Sequence, residues 1–441
     1  MLTMKRFLQL VISLAVLSII LVFVALLTFR FWGGQLPTRV KLYLPESMLT
    51  QITTPIPTAL PAPAMIAEVT MVPIVLPTET AVNTQLSAIN SQPTATKSPI
   101  SDLQSPTPTP LPPTLTPTPS PTPQPQTARI ENIAILPQKF NNCGPANLTI
   151  NLNHYGLEAD QLDIAATVKP HYDDRNVSPW ELADYVNTNT PLQASVYHGG
   201  DLDTLKQLLS AGFPVIIEKG LEHDGWMGHY LTIVGYDDTA QNFLTLDTFL
   251  GPWDSSGLAE SYEFIETHWQ HFNYTFIIVY PAEQIPFVAQ ILGDRYLDEL
   301  QMWQNTAVRA QDAIKQNPEN AFAWFNLGSS LTHLAQLTDD STYAQNAASA
   351  FDQARTIGLP WRMLWYQFEP YEAYLLNGRN QEVIDLADAM LQNGGGSFVE
   401  ETYLYKGLAL TQMGKTDEAT AVYNRGLDIN PNHKLLLTAR N

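Results

Sequence analysis

The chain has one cysteine among 441 residues, and its position is one where a thiol can become reactive. Cys143 precedes Gly144 and Pro145, after which Leu148 and Leu152 recur at helical spacing. This pattern predicts a helix that begins at or just after Cys143. Unpaired N–H groups and the positive end of the helix dipole stabilise a thiolate there. Because a core cysteine more naturally lies in mid-helix on an apolar face, Cys143 is a candidate nucleophile.

A nucleophilic thiol needs a histidine that is close in space rather than in sequence. His229 opens the segment GHYLTIVGYDD, whose Leu231 and Ile233 indicate a buried strand, so it is the candidate general base. His223, in the preceding loop, is the alternative. His154 lies inside the helix that begins at Cys143, where its geometry is unsuitable. Other histidines are predicted to be surface or loop residues: His171, His198, His268 and His271.

Two further polar residues fit a thiol site. Asp247 ends the next predicted strand and would lie beside His229 in an antiparallel pair, where a carboxylate fixes the imidazole tautomer. The alternative is a turn residue before the glycine and proline that follow. Gln138 shortly precedes Cys143, and its amide, together with the Cys143 backbone N–H, could donate to the oxyanion of a tetrahedral intermediate.

An ordered set of residues resembles the papain-like family of bacteriocin-processing (double-glycine) peptidases and their stand-alone bacterial relatives: Gln138, Cys143-Gly144-Pro145, Gly228-His229-Tyr230 and Asp247. In that family the Cys attacks a peptide carbonyl and the His accepts its proton, roles that match Cys143 and His229. The Asp holds the imidazole and the Gln lines the oxyanion hole, roles that match Asp247 and Gln138. The resemblance implies an α+β papain-like domain over residues 129–285.

Residues that flank the proposed nucleophile and base are candidates for the substrate cleft. They are Asn142 and Gly144 beside the thiol, and Trp226 and Tyr230 beside the imidazole. The two aromatic residues could equally belong to the core. Asn142 stands where several transporter-fused family members carry Asp, and their transporter parts are absent from this sequence. The resemblance therefore implies thiol chemistry and a peptide or protein substrate without implying a double-glycine leader.

Composition excludes several function classes. The formal net charge of −20 repels phosphate backbones, so we expect no nucleic-acid partner. A single cysteine rules out an intramolecular disulfide framework and a multi-cysteine zinc site. The motifs imply no metal and no organic cofactor.

The N-terminal part of the sequence predicts a membrane anchor and a spacer. Residues 7–29 contain no charged side chain and, as a helix, would reach about 35 Å, enough to span a bilayer. An uncleaved transmembrane signal anchor is favoured over a cleaved signal peptide, with the C-terminal domains extracytoplasmic. Residues 34–128 are rich in Pro and Thr and predict a disordered, extended stalk without chemistry of its own.

Residues 295–441 have a helical pattern with a period near that of tetratricopeptide repeats. Gly328 in AFAWFNLGSSL, and Gly407 in the last unit, are small residues that let paired helices approach closely. A middle unit is degenerate, with Gly378 as its turn. The repeat resemblance implies an all-α solenoid that binds a protein or peptide.

These observations predict a membrane-anchored cysteine peptidase of papain-like fold, joined to a repeat domain. Two alternatives remain open. One is a catalytically inactive papain-like domain that serves as a binding module or scaffold. The other is a thiol transpeptidase or amidase that acts on cell-wall peptides.

Overall fold

The computed structural model describes residues 60–63, 124–222, 225–392 and 394–441. The predicted membrane span, residues 7–29, lies outside this part of the chain, as does most of the predicted stalk. Among the described residues, no helix has both the length and the apolar content needed to cross a bilayer.

Residues 124–281 are organised around an antiparallel sheet of seven strands. The strands are β1 (Thr127–Arg129), β2 (Leu192–Tyr197), β3 (Val215–Glu222), β4 (Trp226–Asp237), β5 (Asn242–Leu246), β6 (Leu258–Ser261) and β7 (Phe276–Pro281). Their order is β2-β7-β3-β4-β5-β6, and β1 pairs with the far end of β4. Because β4 lies between β3 and β5, its side chains meet residues from both neighbouring strands.

Helices cover both faces of this sheet. They are α1 (Cys143–His154), α2 (Gln161–Val168), α3 (Pro179–Asn189), α4 (Leu202–Ser210), α5 (Tyr262–Trp269), α6 (Ile285–Leu292) and α7 (Asp294–Leu297). Leu148 and Leu152 of α1 join a buried cluster with Ile216 and Ile277 of the sheet. Leu205 of α4 and other residues fill a second cluster with the opposite face. Apolar spacing along α1 therefore fixes the face that packs on the strands, and with it the position of the helix N-terminus.

The start of this domain differs from the sequence prediction. The apolar residues of the segment 130–136 predict a strand there from sequence alone, but the strand is Thr127–Arg129. Arg129 lies opposite Gly235 in the ladder with β4. Ile130 and Ile133 bury their side chains from an irregular segment instead. The apolar character of Ile130 and Ile133 predicts that they are buried. It does not predict whether they form a strand, because strand pairing depends on a partner far away in the chain.

The rest of the described chain is helical. Its helices are α8 (Glu299–Gln316), α9 (Ala321–Thr338), α10 (Ser341–Ile357), α11 (Glu369–Leu376), α12 (Asn380–Leu391), α13 (Glu400–Gln412), α14 (Thr416–Ile429) and α15 (Lys434–Arg440). A Cβ added at Gly328 would lie 2.7 Å from Phe351, and one at Gly407 would lie 2.2 Å from Tyr423. Glycine is therefore required where α9 meets α10 and where α13 meets α14. Assignment of these helices to tetratricopeptide units stays a prediction.

The helical region packs directly on the sheet domain. The ring of Phe322 on α9 stacks on His271, with centroids 3.7 Å apart. At the other end of the region, the Asn430 side chain donates to the carbonyl oxygen of Val168 at 3.0 Å. His198 lies in the loop after β2, as predicted, and His271 lies in the short helical turn Gln270–Phe272, but both rings have defined aromatic partners in the helical region. His198 stacks on Trp303 of α8, so both imidazoles lie at the junction between the two halves.

A short piece of the predicted stalk also contacts the helical region. Leu60 is buried, and its N–H donates to the carbonyl oxygen of Leu359 at 3.0 Å. The guanidinium of Arg355 donates to the carbonyl oxygen of Pro61 at 2.9 Å. These contacts hold residues 60–63 against the segment that follows α10.

Candidate active site

Cys143 is the first residue of α1, as the sequence predicted, and Asn142 is the N-cap. The helix closes on this cap through a hydrogen bond from the N–H of Ala146 to the carbonyl oxygen of Asn142, at 2.8 Å. The thiol is partly exposed. It therefore lies where helical N–H groups have no intrahelical partner and where the helix dipole favours negative charge.

The structure brings Cys143, His229 and Asp247 together. His229 lies on β4 and hydrogen-bonds with the thiol of Cys143. Its Nε2 is 3.0 Å from Oδ1 of Asp247, which follows the last residue of β5. Because Nε2 faces the carboxylate, Nδ1 is the ring nitrogen left for the thiol. The carboxylate is fully buried and the imidazole is 3% exposed, so bulk water does not compete for this bond.

The turn after β5 fixes the carboxylate itself. Oδ1 of Asp247 also accepts hydrogen bonds from the backbone N–H groups of Phe249 and Leu250, each at 2.8 Å. An aspartate that accepts from its own following turn is a common turn-forming arrangement. The turn alternative and the orienting role predicted for Asp247 are therefore compatible, since one oxygen atom serves both.

The surroundings lower the pKa of the Cys143 thiol. Burial alone would raise this pKa, but a hydrogen bond with His229, the charge of that imidazole and a hydrogen bond with the backbone of Tyr230 outweigh it. The charge of Lys169 acts in the same direction. The thiolate is therefore stabilised by cations and hydrogen bonds that the local sequence around Cys143 does not contain.

The pKa values of His229 and Asp247 shift in the directions that favour the charged form of each group. Burial would lower the pKa of His229, but the charge and hydrogen bond of Asp247 and those of Cys143 raise it to about 9. Burial would raise the pKa of Asp247, but the charge and hydrogen bond of His229, with the two turn N–H groups, lower it to about 2. The lowered pKa of Cys143 and the raised pKa of His229 both favour a thiolate beside an imidazolium, and the titration belongs to the pair.

Lys169 is a residue that sequence reasoning missed. It caps the C-terminus of α2 and is only 4% exposed, and its ammonium donates to the carbonyl oxygen of Asp174 at 2.8 Å. The structure shows that the charge of Lys169 acts on Cys143. The sequence gives no indication of this, because Lys169 simply follows a short helix.

Gln138 lies close to the turn that follows Asp247. Its backbone N–H donates to the carbonyl oxygen of Thr248 at 2.8 Å, and its side-chain oxygen accepts from the Thr248 hydroxyl at 2.9 Å. Because the side-chain oxygen of Gln138 accepts from Thr248, the side-chain N–H groups of Gln138 point away from Thr248. Gln161 of α2 ties down the same loop, since its side chain accepts from the N–H of Lys139 at 2.7 Å.

Asn147 connects the nucleophile helix to the histidine strand, and sequence reasoning missed it too. Its side-chain amide donates to the carbonyl oxygens of Cys143 at 2.9 Å and Tyr230 at 2.8 Å. Its side-chain oxygen accepts from the hydroxyl of Thr232 at 2.8 Å. The residue is fully buried. The available signal was a pair of asparagines one helical turn apart, Asn147 and Asn151, and both are buried.

Replacing Asn147 with Ala is expected to lower the free energy of unfolding by about 1–3 kcal/mol, because buried partners lose their hydrogen bonds. The alkylation rate of Cys143 by iodoacetamide should fall as well, since α1 loses its tie to β4. Denaturant unfolding and alkylation kinetics measure the two effects. Asn189→Ala, at the exposed end of α3, is the matched control. Equal stability and reactivity in the two variants would show that Asn147 does not position the thiol.

The residues predicted to line the cleft are buried. Asn142, Trp226 and Tyr230 are 4%, 7% and 3% exposed, respectively. A Cβ added at Gly144 would lie 2.4 Å from Val177, so that glycine allows the close packing of the start of α1. The core alternative thus describes both aromatic residues. The Tyr230 hydroxyl donates to the carbonyl oxygen of Val177 at 2.9 Å.

Trp226 in particular belongs to the junction with the helical region. Its ring stacks on Phe272 with centroids 5.7 Å apart and lies 6.3 Å from Phe322. Its indole N–H donates to His271 at 3.1 Å. An exposed apolar side chain near the imidazole comes instead from the turn after Asp247, where Phe249 is 38% exposed and its ring centroid lies 6.3 Å from that of His229.

The other histidine candidates do not replace His229. His223 lies outside the described residues. His154 is the last residue of α1, at the opposite end of the helix from the thiol. In the described part of the chain, no group of three or more His, Cys, Asp or Glu side chains is arranged to hold a metal ion.

The fold and site together define a class: an α+β papain-like domain in which a thiol, an imidazole and a carboxylate lie side by side. Residues 124–276 match the Peptidase_C39 like family. An all-helical region follows this part of the chain. No curated protein matches the chain.

Three solved structures are similar to about a third of the chain. One is a putative C39-like peptidase from Bacillus anthracis, at 16% identity over 35% of this chain and 96% of that one, with a TM-score of 0.29. Another is a double glycine motif protease from an AMS/PCAT transporter in complex with the leader peptide, at 17% identity, 35% and 95% coverage, and a TM-score of 0.27. A third is the peptidase domain of Streptococcus ComA, a bi-functional ABC transporter involved in a quorum sensing pathway, at 15% identity, 34% and 99% coverage, and a TM-score of 0.28.

Proposed function

We propose that the chain is a cysteine peptidase that hydrolyses peptide bonds through Cys143, His229 and Asp247. One observation carries this proposal: at the N-terminus of α1, the thiol of Cys143 hydrogen-bonds with the imidazole of His229, which in turn hydrogen-bonds with the buried carboxylate of Asp247. The match of residues 124–276 to the Peptidase_C39 like family supports the same chemistry.

The proposed reaction has two stages. The Cys143 thiolate attacks the carbonyl carbon of a peptide bond, and the backbone N–H of Cys143 and the amide of Gln138 donate to the oxyanion. The His229 imidazolium gives its proton to the leaving amine, so the C–N bond breaks and a thioester remains. His229, now neutral, accepts a proton from water, which attacks the thioester and releases the acid and the thiolate. Asp247 holds the imidazole in the tautomer that both stages need.

The other parts of the chain are proposed to place this site. The apolar segment 7–29 would anchor the protein in a membrane, and the Pro/Thr-rich stalk 34–128 would hold the domain away from it. The helices of residues 295–441 would bind a protein or peptide as a tetratricopeptide-like surface. These roles rest on sequence pattern, and the extracytoplasmic location follows from the predicted orientation of the anchor.

Cleavage of a peptide library tests the function. The full chain and its Cys143→Ala variant are incubated with peptides prepared from a proteome, and new termini are identified by mass spectrometry. We expect new termini with the natural chain and at least about 10³-fold fewer with the variant, since removing the nucleophile removes the covalent route. His268→Ala, which alters an imidazole on α5 outside the site, should cleave like the natural chain.

The outcomes separate the rival functions. Identical peptide profiles for the natural chain and Cys143→Ala would contradict the peptidase proposal and favour a binding scaffold. Products joined to an added amine such as glycine amide, in preference to hydrolysed products, would show transpeptidation by the same thioester.

A further inference from the structure

A cavity of about 270 Å³ lies between the sheet domain and the helical region. Its volume is close to the lower end of the ~300–1,000 Å³ typical of ligand pockets. Side chains from both halves form its walls, among them Glu218 of β3, Trp303 of α8 and Glu369 of α11. The cavity therefore exists only because the helical region is packed on the sheet.

Three carboxyl groups line this cavity together with neutral polar side chains. Glu218, Glu369 and Glu372 all line it, and its described walls include no lysine or arginine. Within the described residues, none of the three forms an ion pair with a basic side chain. The two imidazoles that line it do not supply the charge, since burial lowers the pKa of both, that of His198 to about 3.

One of these carboxyls has unused acceptor capacity. Oε2 of Glu369 is buried and has no hydrogen-bond partner among the described residues. A buried acceptor of this kind is costly unless a donor reaches it. Glu218 is 3% exposed and hydrogen-bonds with Tyr230, which lies opposite it in the β3–β4 ladder.

The same walls carry aromatic rings. The cavity is lined by Trp180, Phe272, Trp303, Tyr366, Phe368 and Tyr405. Ring faces attract cations, most strongly where water is excluded. Carboxylates combined with aromatic faces suit a guanidinium or ammonium group on an aliphatic stem, and the planar guanidinium can stack and donate at once.

The cavity wall touches residues that are next to the reacting groups in the chain. A Cβ added at Gly228, which directly precedes His229, would lie 2.9 Å from the ring of Tyr366 in the cavity wall. Gly144, which directly follows Cys143, packs against Val177, and Val177 is followed by Ser178 of the same wall. The negative charge of Cys143 is felt at Glu218, whose pKa is raised well above its usual value by burial, by that thiolate and by Glu369.

We infer that this cavity is a specificity subsite that receives a basic side chain, arginine or lysine, of the substrate near the bond that Cys143 attacks. The inference rests on the proposed peptidase function. Glu218 and Glu369 bind the cationic head, and Tyr366 and Trp303 contact the stem and the face of the head. The helical region is then part of the substrate site as well as a candidate for binding other proteins.

Direct binding tests this inference without requiring catalysis. N-acetyl-arginine amide and N-acetyl-citrulline amide, which are alike in shape and differ in charge, are titrated into the full chain by calorimetry. We expect the arginine compound to bind about tenfold or more tightly, because its charge meets buried carboxyls. Glu218→Gln and Glu369→Gln should each reduce this preference to about threefold or less. Glu418→Gln, on the exposed face of α14, is the matched control and should preserve it.

The result separates the subsite from the function. Equal affinity for the two amides, or no saturable binding of either at millimolar concentration, would overturn the subsite. This comparison uses the natural chain, so it holds even if a variant fails to fold. A charge preference in a chain that cleaves no peptide would keep the subsite and reject the peptidase proposal. In an active chain, the cleaved termini should be enriched in arginine or lysine near the cut.

Discussion

Iodoacetamide is expected to alkylate Cys143 at pH 6 about 10²-fold faster than it alkylates a free cysteine, and His229→Ala is expected to remove this advantage. The pKa of Cys143 is lowered and that of His229 is raised to about 9, and both directions favour a thiolate–imidazolium pair. A free thiol with a pKa of about 8.5 is mostly protonated at pH 6. Because the chain has one cysteine, total alkylation reports this thiol alone.

The comparison with His229→Ala needs a folded variant and a matched histidine change. Far-ultraviolet dichroism and thermal unfolding check the fold. His268→Ala should react like the natural chain, because its ring stacks on Phe264 and lies outside the site. If the natural chain reacts no faster than free cysteine at pH 6, the ion pair does not form and the catalytic assignment of Cys143 fails.

Asp247→Asn is expected to lower the rate of peptide hydrolysis by about 10²-fold or more, on the scale of lost orientation and charge at a catalytic imidazole. The sign of the pH effect follows from the raised pKa of His229. The carboxylate favours the imidazolium, so its loss lowers the His229 pKa and moves the alkaline limb of the rate profile from near 9 toward neutral pH. The measurement is the rate against pH for a peptide from the cleavage comparison.

The carboxamide variant keeps most of the local geometry. Its oxygen can still accept from the N–H groups of Phe249 and Leu250, so the turn after β5 should persist. Asp163→Asn, on the exposed face of α2, controls for the change of net charge. An alkaline limb that stays near 9 with an unchanged rate would show that Asp247 forms the turn and does not act on His229.

The helical region changes how the candidate site is understood. Tyr366 packs against the strand position before His229, and Arg362 donates to the carbonyl oxygen of Trp226 at 3.5 Å. These contacts explain why Trp226, for which both a cleft and a core position were open, is buried. An isolated domain of residues 129–285 would expose that ring and lose one wall of the cavity, so the full chain is the proper object for activity measurements.

Local sequence order was sufficient to find the chemical groups. Helical spacing after Cys143, a buried run after His229 and the end of the next strand at Asp247 each depend on neighbours a few residues away. Such patterns predict where an element begins and which face is apolar. They placed the thiol at a helix N-terminus, the imidazole on β4 and the carboxylate after β5.

Tertiary structure decided everything that depends on residues far apart in the chain. The amide of Asn147 joins Cys143 to Tyr230, the charge of Lys169 acts on the thiol, and Glu218 and Glu369 line the same cavity. An apolar face or a buried polar residue can be inferred from spacing, but its partner cannot, because spacing says nothing about which distant surface covers it. For the same reason, the sequence left Trp226 open between cleft and core, and it did not predict the contact of His271 with the helical region.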